Sequence, residues 1–234
     1  MNKVYLCDNL EFMKGISDNY YELAIVDPPY NINVANDERF GKKFKNSACK
    51  RTDYIKKDWD NKCPTIEYFK ELFRISKNQI IWGVNYYPYD FLSGGRIFWN
   101  KNVAQNYSAS KGEIAYKSIG YGVDLFNYTW SGMRQENMKD KEIRIHPTQK
   151  PIALYKWLLE NYAHKGDKIF DSHVGSGSSR IACYDLGYDF EGCEIDKDYW
   201  QAQEDRFNKH ISQLSLFTPD ELEPVKEYEQ DNLF

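Results

Sequence analysis

Cysteine is scarce and poorly spaced for cross-linking: Cys7, Cys49, Cys63, Cys183 and Cys193 make an odd set of five with no C-x-x-C pair. That spacing offers neither a zinc ligand set nor a disulfide framework, and no metal is implied. Cys7, Cys183 and Cys193 stand among apolar neighbours, as buried thiols do. No apolar run is long enough to cross a bilayer, and the first residues show no charged-then-apolar leader, so neither a membrane nor export is expected. An excess of positive charge is missing too. Lys and Arg total 31 against 35 Asp and Glu, a formal net charge of −4, so the chain as a whole does not advertise affinity for phosphate.

What is present suffices for a large core. With 234 residues, 41% of them hydrophobic, the sequence predicts one α/β domain with insertions over residues 1–212, followed by a tail at 213–234. The 19 tyrosines lift the aromatic share to 16%, which suits both packing and base stacking. Charge is uneven. Between Asn31 and Cys63, Arg39, Lys42, Lys43, Lys45, Lys50, Arg51, Lys56, Lys57 and Lys62 outnumber Asp37, Glu38, Asp53, Asp58 and Asp60 by four. With little apolar periodicity, this stretch reads either as a solvated loop or as a flap that contacts phosphates.

Seven segments have strand character: residues 3–7, 23–26, 79–82, 96–99, 113–116, 168–170 and 189–193. Helical spacing covers residues 10–16, 66–76, a stretch from Pro151 carrying Leu154, Trp157 and Leu158, then 180–186 and about 199–211. Asp8 and Asn9 offer an N-cap to the first helix, and Gly187 a left-handed stop to the fourth. Residues 117–144 are aromatic, polar and irregular.

Two of these junctions carry chemistry. The run Leu23-Ala24-Ile25-Val26 is halted by Asp27-Pro28-Pro29-Tyr30, a buried strand ending in a stiff tip that bears a carboxylate, a carbonyl and an aromatic face. Such a tip can hold a planar base and draw on its amino protons. In the last third, a strand leads into Asp171-Ser172-His173-Val174-Gly175-Ser176-Gly177, then a helix, then a strand closed by Glu194-Ile195-Asp196. A strand–glycine loop–helix–strand–acid unit can cradle an adenosine: glycines let the backbone approach, and the acid accepts from ribose hydroxyls.

Together with His146-Pro147-Thr148-Gln149-Lys150-Pro151, these pieces resemble the amino-group DNA methyltransferases in the β-type adenine-N6 arrangement. That group places its Asp-Pro-Pro-Tyr loop first, its recognition region in the middle and its cofactor loop last. The resemblance spans about residues 3–210. It implies a circularly permuted Rossmann-like sheet of seven mostly parallel strands with one antiparallel hairpin and helices on both faces. It implies S-adenosylmethionine as cofactor and double-stranded DNA as partner, with the target base flipped out of the helix. By resemblance, Asp27 and the Pro28 carbonyl accept the amine protons, Pro29 stiffens the loop and Tyr30 stacks on the base. Asp171, Ser172, Gly175 and Gly177 line the cofactor together with Asp27, Glu194 takes the ribose hydroxyls with Asp196 beside it, and Thr148, Gln149 and Lys150 border the methionine carboxylate. Lys150 is equally readable as a surface charge, and Asp8 either as a neighbour of the cofactor adenine or as a plain helix cap. Ser172 and His173 stand where the family usually has Pro and Phe, which leaves His173 as a polar cofactor contact or a packing residue. Arg39, Lys42, Lys43, Arg51 and Arg134 are the expected DNA contacts, shared between the basic loop at about 31–63 and a small recognition region at about 117–145.

The family is expected in a bacterial or phage-infected cytoplasm. Alternatives stay open: cytosine-N4 transfer, which usually has Ser at the position of Asp27, or an idle DNA- or clamp-binding scaffold. Gln213-Leu214-Ser215-Leu216-Phe217 resembles the peptide with which bacterial proteins dock on the replication sliding clamp, and is equally a hook that packs on the core. Pairing of two copies of the chain is also left open.

Overall fold

The computed structural model describes residues 1–32, 60–106, 110–131 and 134–214. Ten strands and five helices are described: β1 (Asn2–Leu6), α1 (Asn9–Lys14), β2 (Tyr21–Val26), α2 (Ile66–Ile75), β3 (Ser76–Trp82), β4 (Gly95–Asn100), β5 (Gly112–Lys117), β6 (Val123–Asn127), β7 (Trp130–Ser131), β8 (Arg134–Gln135), α3 (Ile152–Tyr162), β9 (Lys168–Asp171), α4 (Ser178–Leu186), β10 (Asp189–Glu194) and α5 (Lys197–Leu214).

Eight strands form one sheet in the order β1-β10-β9-β2-β3-β5-β4-β6, and β7 and β8 form a separate small hairpin. Only β5 runs against its neighbours. The Rossmann-like class matches expectation, and so does the antiparallel β4–β5 hairpin, although β5 also pairs antiparallel with β3 on its other side. The strand number is corrected from seven to eight. The extra strand, β6, lies in the stretch read as irregular, where it pairs in parallel with β4 at the sheet edge. The permuted order is explicit: the first strand lies against the last, with Tyr5 opposite Cys193.

Both faces of the sheet are covered, which is why β2 reads as a continuous apolar run rather than an alternating one. Leu23 and Ile25 pack with Leu154, Leu158, Leu159 and Ala182 of α3 and α4, whereas Ala24 and Val26 pack with Met13, Phe69, Leu72 and Ile75 of α1 and α2. Helix ends follow local chemistry. Asp8 Oδ1 caps α1 by accepting from Glu11 N at 3.0 Å, Thr65 caps α2, and Gly187 closes α4 in the left-handed conformation.

The topology fixes where a ligand can enter. From β2 the chain crosses through α2 to β3 on one side, and from β9 it crosses through α4 to β10 on the other. β2 and β9 are hydrogen-bonded neighbours, so their loops diverge from a switch point at the carboxyl ends, the place where open α/β sheets have their ligand crevice. Asp27 follows β2, and Asp171 ends β9.

Candidate active site

On the β2 side of the crevice the Asp27-Pro28-Pro29-Tyr30 loop is clamped from several directions. The Asp27 carboxylate accepts from Lys150 Nζ through Oδ2 and from the Tyr30 hydroxyl through Oδ1. Tyr30 also lies 3.2 Å from Lys150 Nζ through its oxygen, and its ring stacks on Tyr86 at 4.9 Å with 12° between planes. Asp60 Oδ1 accepts from the backbone N–H groups of Tyr30 and Asn31 at 2.9 and 3.0 Å, and the Tyr87 hydroxyl donates to the Pro28 carbonyl at 2.9 Å. Gly83, at φ +74°, is the one residue that fits behind the Tyr30 ring: a Cβ there would stand 2.1 Å from it.

Lys150 is the centre of a buried charge set. Its side chain is 3% exposed, it bridges Asp27 and Glu113, and Lys101 in turn pairs with Glu113 from the outer side. Two carboxylates and two ammonium groups balance. Burial alone would raise the Glu113 carboxyl, but Lys150 and Lys101 bring it down to about 2. Burial pushes the Asp27 carboxyl upward, with Lys150 opposing and Glu113 adding to the rise. Burial works against the Lys150 ammonium, yet Asp27 and Glu113 outweigh it and hold its proton more firmly than usual.

On the β9 side, the two carboxylates are satisfied without cations among the described residues. Asp171, 1% exposed, accepts from Ser179 Oγ at 2.6 Å and from His173 N at 3.0 Å, and burial lifts its carboxyl to about 7. Glu194 accepts from Gly175 N at 2.8 Å and Asp196 N at 2.9 Å, and burial raises it as well. Gly177, at φ +74°, turns the loop into α4. His173 is pinned on both ring nitrogens, Nε2 by Asn9 Nδ2 at 2.9 Å and Nδ1 by Ser172 Oγ at 2.8 Å, and Ser172 continues to the Tyr68 hydroxyl at 2.6 Å. Burial lowers the imidazole to about 4, so it is neutral at physiological pH.

The segment 142–152 spans the two sides. Gln149 spends its side chain on Ile145 N, the Ile143 carbonyl and Glu142, and Thr148 Oγ1 lies 3.0 Å from His146 Nδ1. Glu142 accepts from Ile152 N at the start of α3 and pairs with Arg206 at 2.7 Å, and Arg206 also donates to the Ser176 carbonyl in the glycine loop. His146 packs on Tyr199 at 4.3 Å.

Of the residues singled out from sequence, Asp27, Pro28, Pro29, Tyr30, Lys150 and Glu113's strand meet on one side, while Asp171, Ser172, His173, Gly175, Gly177 and Glu194 meet on the other. Lys150 lies against Asp27. Asp8 caps α1, and Asp196 Oδ1 caps α5 by accepting from Asp198 N and Tyr199 N. Arg134 is exposed on β8. Arg39, Lys42, Lys43 and Arg51 lie outside the described residues, as do Ser215, Leu216 and Phe217 of the clamp-like peptide. Glu113, Asp60, Tyr87, Glu142 and Arg206 were not legible as site residues, because each acts on a partner far away in sequence.

This architecture is that of the methyltransferases. The structure of M1.HpyAVI in complex with SAM superposes with a TM-score of 0.56 at 21% identity, over 88% of this chain and all of that one. PvuII DNA methyltransferase, described as cytosine-N4-specific, gives 0.56 at 12% identity over 92% of this chain and 91% of its own. The DNA methylase family model matches residues 36–205, and the chain belongs to that family. Among curated relatives, the type II methyltransferase M.HpaI of Haemophilus parainfluenzae is 23% identical over 252 residues, covering 91% of this chain and 76% of the relative. M1.MboII of Moraxella bovis is 22% identical over 243 residues, covering 85% and 94%.

Proposed function

We propose that this DNA methyltransferase transfers a methyl group from S-adenosylmethionine to N6 of an adenine flipped out of double-stranded DNA. The observation that carries the proposal is the adjacency at one switch point of the Asp27 loop and the Asp171–Gly177 loop. The donor set suits the cofactor: Glu194 presents a carboxylate beside the glycine loop for ribose hydroxyls, and Asp171 lies at its base. When bound, S-adenosylmethionine supplies a methyl group on a cationic sulfur that is a good leaving group. Asp171, Gly175, Gly177 and Glu194 hold it there, and Ser172 and His173 fix the loop that they belong to.

The residues of the β2 side prepare the amine. An adenine amino nitrogen is a poor nucleophile because its lone pair is delocalised into the ring. Asp27 accepts one N–H and the Pro28 carbonyl the other, which localises the lone pair toward the methyl. A carbonyl has two lone pairs, so the Tyr87 hydroxyl fixes the Pro28 carbonyl without exhausting it. The Tyr30 ring stacks on Tyr86, and a flipped base that takes that place meets a face suited to stacking and to the positive charge that develops on nitrogen. Alignment supplies much of the rate, and no covalent protein intermediate is required. Residues 1–212 form the catalytic domain, and Arg134 with the basic stretch at 31–63 supplies DNA contacts.

The experiment is methyl transfer from labelled S-adenosylmethionine to unmethylated genomic DNA, followed by nucleoside analysis, with Asp27→Asn as control. N6-methyladenine that disappears in the variant supports the proposal. N4-methylcytosine transfers the same chemistry to the other base, and cofactor binding without product in the unaltered enzyme overturns it.

A further inference from the structure

The Lys150 ammonium has two carboxylates in reach but uses them unequally. Its hydrogen bonds go to Asp27 and Tyr30, whereas Glu113 Oε2, 3.0 Å away, receives its charge without hydrogen-bond geometry. Glu113 Oε2 is buried and ion-paired with Lys150 but has no aligned hydrogen-bond donor, and Trp82 Nε1, whose ring lies 5.5 Å from Lys150 Nζ, is buried with no hydrogen-bond partner among the described residues. Buried polar atoms are nearly always paired, so an open acceptor beside a buried cation marks a place where a bond can be made. The problem it solves is steric and electrostatic at once. Each Asp27 oxygen already accepts one strong donor, Lys150 on one and Tyr30 on the other, so an arriving amine competes with them for the carboxylate, and loosening the ammonium from Asp27 in this buried setting is costly unless Glu113 takes more of it.

We infer that Glu113 is a positioning residue that receives the Lys150 ammonium when the target amine takes over Asp27. This rests on the assignment of Asp27 as the amine acceptor. In the exchange, the Lys150 Nζ–H···Asp27 hydrogen bond is replaced by an amine N–H···Asp27 hydrogen bond, and the freed Nζ–H closes on Glu113 Oε2. No proton changes owner, and the count of buried charges is unchanged. Lys101, holding Glu113 Oε1 from the outer side, shares the Glu113 charge and so limits its pull on Lys150.

The groups facing Lys150 are Asp27 and Tyr30 from the loop after β2, Trp82 from β3 and Glu113 from β5, with Lys101 behind Glu113; Asp171 and Tyr155 also act on Asp27 electrostatically. Glu113→Gln keeps the shape and removes the charged acceptor. Initial rates on unmethylated genomic DNA are expected to show kcat lower by about tenfold or more, while S-adenosylhomocysteine affinity by calorimetry stays within about twofold. The acid limb of the pH–rate profile moves to lower pH, because a negative neighbour of Asp27 is gone. Glu113→Asp recovers part of kcat.

Lys101→Gln provides the opposite shift: freed from Lys101, Glu113 draws Lys150 away from Asp27, and the acid limb moves to higher pH. Wild-type kcat and an unmoved limb in Glu113→Gln overturn the relay. So does a kcat loss matched by loss of cofactor affinity, which a merely structural role gives. If Glu113→Gln does not fold, an unmoved limb in Lys101→Gln overturns it alone. Asp27→Asn with undiminished transfer would instead remove the assignment beneath it, so the two failures are distinct.

Discussion

The two sides of the crevice stabilise their carboxylates by different means. On the β2 side, Asp27 and Glu113 are neutralised by Lys150 and Lys101 in a closed charge set. On the β9 side, Asp171 and Glu194 rely on hydroxyl and backbone N–H donors with no cation at hydrogen-bond distance among the described residues. A charge set is strong but must be rearranged to admit a neutral amine. Dipoles aimed at a carboxylate leave it underpaid for its charge, which suits a pocket built to receive a cationic ligand. The Asp171 carboxyl near 7 and the Glu113 carboxyl near 2 are the two extremes of that contrast.

The contrast can be broken most severely at Asp27. Asp27→Asn is expected to lower methyl transfer by roughly a thousandfold, the scale at which loss of one aligned electrostatic group acts. S-adenosylhomocysteine binding, measured by calorimetry, should change little, and a matching loss of affinity would merge the two sides into one. Next comes Lys150→Met, which strands the buried Asp27 carboxylate and leaves Glu113 with Lys101 alone, and is expected to cost about 3 kcal/mol in denaturant unfolding. Adding Glu113→Gln to it should recover part of that loss. A double variant no more stable than the single one would dissolve the closed charge set.

On the other side the signs reverse. Asp171 keeps its proton up to about 7 in the folded chain but loses it near 3.8 when unfolded. Native stability therefore falls as pH rises through that window. Asp171→Asn removes the penalty, so its thermal stability relative to the unaltered protein should increase between pH 4 and pH 8, by about 2 kcal/mol at the upper end. A flat difference would mean that Asp171 is charged without cost. The smallest effect belongs to His173, held neutral to about 4 against an ordinary 6.5. That contribution is lost as pH falls from 6.5 to 4, and His173→Phe should remove about 1 kcal/mol of the acid slope in the same thermal scans.

Much of this was legible before any coordinates. The run Leu23–Val26 announced a strand buried on both faces, its halt at two prolines announced the loop, and the glycines with Glu194 announced the second loop. These signals are local: each lies within about twenty residues and reflects backbone geometry. β6 escaped because Val-Asp-Leu-Phe-Asn leaves Val123 and Leu125 exposed at a sheet edge, so its apolar residues do not mark a core strand. Glu113 escaped for a different reason. Within β5 it is an unremarkable strand residue, and only the sheet brings it to a lysine 37 positions later and, through that lysine, to Asp27. Arg206 and Glu142 likewise become meaningful only when α5 folds over the glycine loop and ties it to the segment that carries Lys150.

The strand order has a consequence during synthesis. β1 and β2 leave the ribosome before β9 and β10, yet they are not neighbours: β10 and β9 lie between them. At translation speeds of roughly 5–20 residues per second, the nascent chain waits on the order of ten to thirty seconds between β2 and β10. Until β9 emerges one long edge of β2 is unpaired, and until β10 emerges β1 has no partner strand among the described residues. The crevice cannot exist until β9 slides into the gap, so a truncated chain has no partial activity to lose. Its exposed edge is the feature that a chaperone would meet first.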